Sequence, residues 1–171
     1  MRLKARKLTL LALLSAIALT IFMVEAQIPS TVPLPGVKLG LSNIVTVFTV
    51  FAIGGKEAAA VLCVRIFLGA AFAGNFSSIL YSAAGGALAI LTTVALRRSL
   101  TDSQLWVASV AGAMAHAIGQ MAMAIAVTGT PSIALYLPAM LACSVISGVF
   151  TGLCAQLLLK RGNALWKTFL K

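Results

Sequence analysis

The chain opens with residues 1–24, MRLKARKLTLLALLSAIALTIFMV, in which a basic segment is joined to an uninterrupted apolar run. Four Lys and Arg residues precede Leu8, and the run from Leu8 to Val24 contains none. A run of about 17–25 apolar residues is long enough to cross a bilayer as a helix. Lys and Arg concentrate on the cytoplasmic side of such helices. The stretch therefore predicts a first membrane span with a cytoplasmic start, rather than a cleaved signal peptide, whose apolar region is usually shorter.

The composition of the whole chain is that of a membrane protein. Of its 171 residues, 61% are hydrophobic and only 9% are charged, and the mean hydropathy is +1.07. A soluble domain usually has about 25% charged residues, so this chain cannot build a water-soluble surface. The net charge of +10 comes from short basic clusters at the ends of apolar runs, a position that indicates membrane topology rather than nucleic-acid binding. A lipid bilayer is the predicted environment, and no nucleic-acid partner is expected.

Further apolar runs follow the first one along the chain. The second and third are short, at 15 residues each, and a segment with three prolines, 25–38, separates the first run from the second. The predicted fold is a single all-α membrane domain, 1–171, built as a bundle of six transmembrane helices. The six spans are predicted at about 8–24, 39–53, 58–72, 76–96, 105–127 and 133–159.

Six crossings place both termini on the same side of the membrane, and the basic residues identify that side as the cytoplasm. Lys38 is the basic residue predicted to face outward, and Arg65 lies inside the third span. A count of four or five spans would scatter the basic residues over both sides. In the six-span topology, eleven of the thirteen Lys and Arg residues are cytoplasmic: Arg2, Lys4, Arg6, Lys7, Lys56, Arg97, Arg98, Lys160, Arg161, Lys167 and Lys171.

Two spans carry small residues at four-residue spacing. These are Ala12-x-x-x-Ala16 in the first span and Ser144-x-x-x-Gly148-x-x-x-Gly152 in the sixth. Small residues at this spacing let two helices approach closely in lipid. Two interpretations remain open for each seam: it packs within the chain's own bundle, or it docks to a separate membrane subunit.

Arg65 is a charged residue near the middle of a predicted span. A charge at that depth costs at least about 2.5–3.5 kcal/mol on insertion scales, so it is expected to face the bundle interior or a water-filled cavity. The three acids of the chain lie at span ends or in a loop, and none is expected to pair with it. Arg65 either snorkels or caps backbone carbonyls, or it binds an anionic ligand.

A second polar group lies in the fifth span. His116 and Gln120 share one helix face with Ala108, Gly112 and Ala124, because all five follow a four-residue spacing. The pair forms either an interhelical hydrogen bond or a contact to a ligand. A single histidine excludes a multi-histidine metal site, and three dispersed acids offer neither paired catalytic carboxylates nor a Mg²⁺-diphosphate motif. No metal, cofactor or catalytic residue is predicted.

The other polar residues within the spans lie at mid-to-outer depth. Asn43 lies about one turn inside the outer end of the second span, Ser77, Tyr81 and Ser82 occupy the outer half of the fourth, and Lys38 stands at the outer mouth. The inner halves of the spans are almost purely apolar. This distribution predicts an outward-facing pocket covered by the 25–38 loop as a lid, rather than a channel.

Several segments together resemble a known family. The most specific is residues 35–44, PGVKLGLSNI, and the others are Arg65-x-x-Leu68-Gly69, Gly74-Asn75 followed by Tyr81-Ser82-x-x-Gly85-Gly86, and His116-x-x-x-Gln120. Over nearly its whole length the sequence resembles the Gx transporter family, often labelled heptaprenyl diphosphate synthase component I.

That family is similar to the substrate-binding S components of energy-coupling factor (ECF) transporters, which are six-helix proteins of prokaryotic cell membranes. The resemblance implies that Ala12 and Ala16 dock to a membrane T component joined to two ABC ATPases, and that the 25–38 loop is the lid of the pocket. The implied function is the capture from outside of a small anionic or amphipathic vitamin or cofactor precursor. ATP would be hydrolysed by the partner subunits, so the chain itself is not expected to be an enzyme.

The residues expected to contact the ligand are Lys38, Asn43, Arg65, His116 and Gln120, with Tyr81 as a possible stacking group. The alternative is a non-catalytic membrane subunit associated with heptaprenyl diphosphate synthase and prenyl-quinone synthesis. Prenyl transfer by the chain itself fits poorly, because enzymes that handle diphosphates ordinarily hold their metal with clustered acids.

Overall fold

The computed structural model describes the backbone of residues 2–27 and 40–170, and side chains within 5–27, 40–101 and 103–162. The fold of these residues is all-helical, without a strand. Two short 3-10 segments, Asp102–Gln104 and Pro131–Tyr136, precede the last two helices. The α-helices are α1 (Arg2–Gln27), α2 (Asn43–Ala52), α3 (Gly55–Ala73), α4 (Ser78–Arg97), α5 (Leu105–Thr128) and α6 (Leu137–Leu170).

The helices follow the predicted spans, with differences at the ends. α2 begins at Asn43 instead of residue 39, because residues 40–42 form a turn in which Gly40 has a φ of +71°. α6 continues to Leu170, beyond the predicted end at 159, since Lys and Arg are good helix formers and do not stop a helix where the apolar run stops. Of the predicted lid, residues 25–27 belong to α1, and 28–38 lie outside the described residues.

Four segments of the described chain are long and apolar enough to cross a membrane: Ala5–Gln27, Ser78–Arg97, Leu105–Thr128 and Pro131–Gly162. α2 is apolar but has only 10 residues. α3 has 19 residues but carries Lys56, Glu57 and Arg65. The chain is therefore an all-helical membrane protein, and the number of crossings and the side of the termini stay predictions.

Contacts near the helix ends define the directions of the first four helices. Lys7, in the second turn of α1, forms an ion pair of 2.5 Å with Glu57 at the start of α3. At the end of α4, Arg97 donates a hydrogen bond of 3.1 Å to the carbonyl of Phe51, at the end of α2. Gly55 meets Val94 where α3 starts and α4 ends. α1 and α3 therefore run in one direction, and α2 and α4 in the other.

The last two helices continue this alternation. Ser109, early in α5, is hydrogen bonded to Thr151, near the middle of α6, at 3.0 Å, and Gly148 and Gly152 of α6 lie against Val110 and Trp106 of α5, so the two helices are antiparallel. Gly112 of α5 lies against Thr93 near the end of α4. One end of the bundle thus collects the starts of α1, α3 and α5 and the ends of α2, α4 and α6. We call it the basic end, after Lys7, Lys56, Arg97, Arg98, Lys160 and Arg161.

The short helix α2 forms the centre of the apolar core. Seven consecutive residues, 45–51, are buried, so the helix is covered on all sides, as expected for a helix that is apolar all round. Leu14 and Ala18 of α1, Val61 of α3, and Leu105 at the start of α5 belong to the same buried cluster. The apolar core of the described residues therefore lies around α2.

Close helix contacts on α5 depend on glycine. A Cβ on Gly119 would lie 2.7 Å from the carbonyl oxygen of Ala84 and 2.9 Å from the Cα of Gly85. On the other side of α5, Gly148 of α6 approaches the backbone of Val110. The Ser144-x-x-x-Gly148-x-x-x-Gly152 seam of α6 therefore packs within the chain's own bundle, the first of its two open interpretations.

We expect Gly119→Val to lower the free energy of unfolding by about 1–3 kcal/mol, because the new side chain meets backbone that cannot rotate away. Chemical denaturation in detergent micelles measures the change. Ala122→Val is the matched control, since Ala122 is an exposed position on the same helix. Equal stability of the two variants would contradict the close α4–α5 crossing.

Candidate ligand-binding site

A polar cavity opens between the helices on the side of the core away from the basic end. All six helices contribute to its lining, together with Gly40 and Ser42 of the turn before α2. The lining residues are Phe22, Glu25, Gly40, Ser42, Asn43, Arg65, Ser82, Ala113, His116, Ala117, Gln120, Met140, Cys143, Ser144 and Ser147. The space in which a water molecule can be centred is about 60 Å³. At about 10–15 Å³ for each water, this holds roughly four to six waters or a compact ligand.

Arg65 is held inside the bundle by its neighbours. Its side chain is only 5% exposed, so it does not snorkel to the membrane surface. Nη1 donates a hydrogen bond to the hydroxyl of Ser42, and the guanidinium carbon lies 5.7 Å from the centroid of the Phe22 ring, within the range of a cation–π contact. Nε is buried and has no hydrogen-bond partner among the described residues. The guanidinium is thus held on one side by Ser42 and Phe22, and its buried Nε is left without a partner among the described residues.

Glu25, predicted at the end of the first span, lies in the same cavity as Arg65. Its side chain is 4% exposed, because α1 continues to Gln27 and the chain returns at Gly40 to cover it. Oε1 accepts a hydrogen bond of 2.5 Å from the backbone N–H of Gly40, and the buried Oε2 has no partner in the described part of the chain. Glu25 and Arg65 do not form a direct ion pair. The cavity therefore contains one charge of each sign.

His116 and Gln120 lie where α5 crosses α4. A Cβ on Gly85 would lie 2.8 Å from Cγ of Gln120 and 3.0 Å from Cε1 of His116, so glycine at this position is what lets both side chains reach the cavity. Nδ1 of His116 is buried and unpartnered within the described residues. Both predicted side chains line the cavity, and their contact with a ligand stays a prediction.

The structure brings together four of the six predicted ligand contacts: Asn43, Arg65, His116 and Gln120 all line the cavity. Tyr81 is half-buried and is not among the lining residues, whereas its neighbour Ser82 is, because successive helix positions point about 100° apart. Lys38 lies outside the described residues.

Sequence reasoning missed several lining residues. Glu25 and Phe22 are three apart on α1 and share a face, as do Ser144 and Ser147 on α6, and this spacing is the signal that could have found them. Ser42 directly precedes Asn43 in the segment that carried the family resemblance. Among the described residues, no group of three or more His, Cys, Asp and Glu side chains is arranged to hold a metal ion.

The Ala12-x-x-x-Ala16 seam of α1 differs from the seam of α6. Ala12 and Ala16 are both exposed, and so are Thr9 and Thr20, which continue the same face. The Thr9 and Thr20 hydroxyls donate to carbonyls of their own helix, at 3.0 and 2.9 Å. We call this face the α1 stripe (Thr9, Ala12, Ala16 and Thr20). It is smooth and without unsatisfied hydroxyls, and a second helix could approach it closely.

The fold and the cavity define a class: an all-helical membrane protein with a buried polar site between its helices. The chain belongs to the family described as heptaprenyl diphosphate synthase component I, whose model matches residues 14–158. This confirms the family resemblance found in the sequence. No curated protein and no solved structure matches the chain significantly.

We expect the effects of Glu25→Gln and Arg65→Met on stability to be coupled. Each single change leaves the opposite charge uncompensated, whereas the double change removes both charges. The double variant should be more stable than the sum of the single effects by about 1 kcal/mol or more, within the range for interacting neighbours. Unfolding free energies in detergent micelles give the coupling.

The matched control for this cycle is Glu25→Gln combined with Thr151→Ala. Thr151 pairs with Ser109 near the basic end, so its effect and that of Glu25→Gln should add. A coupling between Glu25 and Arg65 no larger than that of the control pair would show that the two charges do not sense each other.

Proposed function

We propose that this protein is the substrate-binding S component of an ECF-type importer. Five buried polar atoms have no partner in the described chain, and two of them, Oγ1 of Thr46 and Oε1 of Gln156, belong to residues outside the cavity lining. The observation that carries the proposal is the group formed by the other three: Oε2 of Glu25, Nε of Arg65 and Nδ1 of His116. All three belong to residues lining one cavity. Burying polar atoms without hydrogen bonds is unfavourable, and in membrane proteins such groups mark sites of function. A ligand that supplies the missing partners explains why these residues are there.

The position of the cavity supports binding from outside the cell. It lies away from the basic end, and under the positive-inside rule the basic end faces the cytoplasm. Glu25 and Gly40, which stand on either side of the 28–39 segment, both line it. In this proposal residues 28–38 of the predicted 25–38 loop form the lid, and Lys38 within it contacts the ligand together with Asn43, Arg65, His116 and Gln120. A ligand contact by Tyr81 is less well supported, because Tyr81 is not among the residues that line the cavity.

The α1 stripe supports a partner in the membrane. Because Ala12 and Ala16 are not used by the chain's own bundle, they are available to a T component, which would connect this protein to two ABC ATPases. ATP hydrolysis then belongs to the partners, and this chain only binds and releases a small vitamin or cofactor precursor. The corresponding location is the cytoplasmic membrane of a prokaryotic cell.

The family description favours one alternative. A protein described as component I of heptaprenyl diphosphate synthase implies a second component, and this chain would then be its non-catalytic membrane subunit. Two activity measurements distinguish these functions. The alternative requires diphosphate release when a soluble prenyltransferase is added, whereas an S component requires ATP-dependent uptake in the presence of its T component and ATPases.

We expect Ala12→Trp and Ala16→Trp to abolish association with a T component, because an indole on the α1 stripe prevents close helix contact. Co-purification of the tagged protein with the T component and ATPases measures this. Ala87→Trp is the control, since Ala87 is an exposed alanine on α4, outside the stripe. Normal recovery of the complex with both stripe variants would exclude the stripe as the docking surface.

Arg65→Ala should weaken ligand binding by well over tenfold while the protein stays folded, because the main fixed cation of the cavity is lost. Native mass spectrometry of the purified protein first identifies the co-purifying small molecule, and its affinity is then compared in the two proteins. An unchanged affinity would remove Arg65 from the site.

A further inference from the structure

We propose that the cavity binds a small amphoteric molecule, whose anionic group contacts Arg65 and whose protonated amine contacts Glu25. This inference rests on the proposed function in that a small molecule occupies the cavity, and it replaces the anionic or amphipathic ligand expected from sequence with one that carries both charges. The two residues line the same cavity and are nearly fully buried, at 5% and 4% exposure.

Among the described residues, the lining charges are Arg65 and Glu25, and this pair favours a ligand without net charge. A purely anionic ligand would compensate Arg65 but place a second negative charge near Glu25. A purely cationic ligand would do the reverse. Interactions between charges are strong at this depth because little water is present to screen them. A ligand with one charge of each sign compensates both residues.

The hydrogen bonds point to the same class of ligand. Arg65 uses Nη1 for Ser42 and leaves Nε unpartnered, and Glu25 uses Oε1 for Gly40 and leaves Oε2 unpartnered among the described residues. Each charged group is therefore anchored by the protein on one side and open on the other. Such fixed groups bind a ligand without first losing side-chain freedom. The open donor suits a carboxylate or phosphate oxygen, and the open acceptor suits an ammonium group.

The remaining polar groups and the size of the site narrow the class further. Nδ1 of His116 is unpartnered, and Gln120 lies one helical turn along the same face, so both can contact a polar group between the charged ends of the ligand. The space of about 60 Å³ suits a compact molecule of a few heavy atoms. A diphosphate, with several negative charges, is disfavoured by Glu25.

The experiment compares three probes of equal chain length: β-alanine carries both charges, propionate only the negative one, and propylamine only the positive one. Thermal shift of the purified full-length protein, freed of co-purifying molecules, reports binding. We expect β-alanine to raise the melting temperature and the two singly charged probes to have little effect. This comparison uses the unaltered chain, so it does not depend on how a variant folds.

Glu25→Gln provides the second measurement. Glutamine keeps an oxygen that can accept from Gly40, so the local fold is retained, but the charge is lost. The preference for β-alanine over propionate should fall by about tenfold or more, the range for a lost hydrogen bond to a charged group. Ala122→Val, exposed on α5, is the control and should keep the preference.

The outcomes separate this inference from the proposed function. If propionate stabilises the unaltered protein as well as β-alanine, or if Glu25→Gln keeps the preference, the ligand is anionic, and the amphoteric class is wrong while ligand binding stands. If none of the three probes has an effect, the inference is likewise overturned. The S-component role is judged independently, by co-purification with the T component and by ATP-dependent uptake.

Discussion

Two opposite charges buried in a helix bundle that lies in lipid are the constraint on which this structure depends. Neither Arg65 nor Glu25 can reach bulk water, and each therefore needs a compensating group within the protein. Ser42 and Phe22 hold the guanidinium, and the N–H of Gly40 holds the carboxylate. These contacts join the end of α1, the turn before α2 and the middle of α3, so the segments around the cavity are positioned by electrostatics as well as by packing.

The two halves of the bundle differ in their interiors: one contains the apolar core and the other contains the polar cavity. Near the basic end, buried apolar residues of α1, α3, α5 and α6 pack around α2, whose Thr46 and Thr49 are buried with them. Toward the other end, glycines at 85 and 119 bring α4 and α5 together, so that His116 and Gln120 share the cavity with residues of α1 and α3. The apolar half of the bundle therefore packs against the half in which the polar cavity lies.

Hydropathy and charge predicted much of this fold, because both report directly on the lipid environment. Helices α4 and α5 begin and end within two residues of the ends of their predicted spans. In the fifth span, the four-residue spacing placed His116 and Gln120 on one helix face with small residues. The sequence did not predict that Glu25 shares the cavity with Arg65. Its depth depends on how far α1 continues and on where the chain returns, and neither is encoded in local composition. Tyr81 was chosen over Ser82 for its aromatic ring, but the rotation of α4 brings Ser82 to the cavity.

The family description and the cavity lead to different expectations about chemistry. A synthase of heptaprenyl diphosphate handles a ligand with several negative charges, for which proteins use clustered cations or metal ions held by acids. The described cavity offers one guanidinium, balanced by one carboxylate, and its remaining lining is neutral. Placing a diphosphate there would leave most of its charge uncompensated in a medium that screens charges poorly. Electrostatics therefore favours a small, net-neutral molecule over a diphosphate as the occupant of the described cavity.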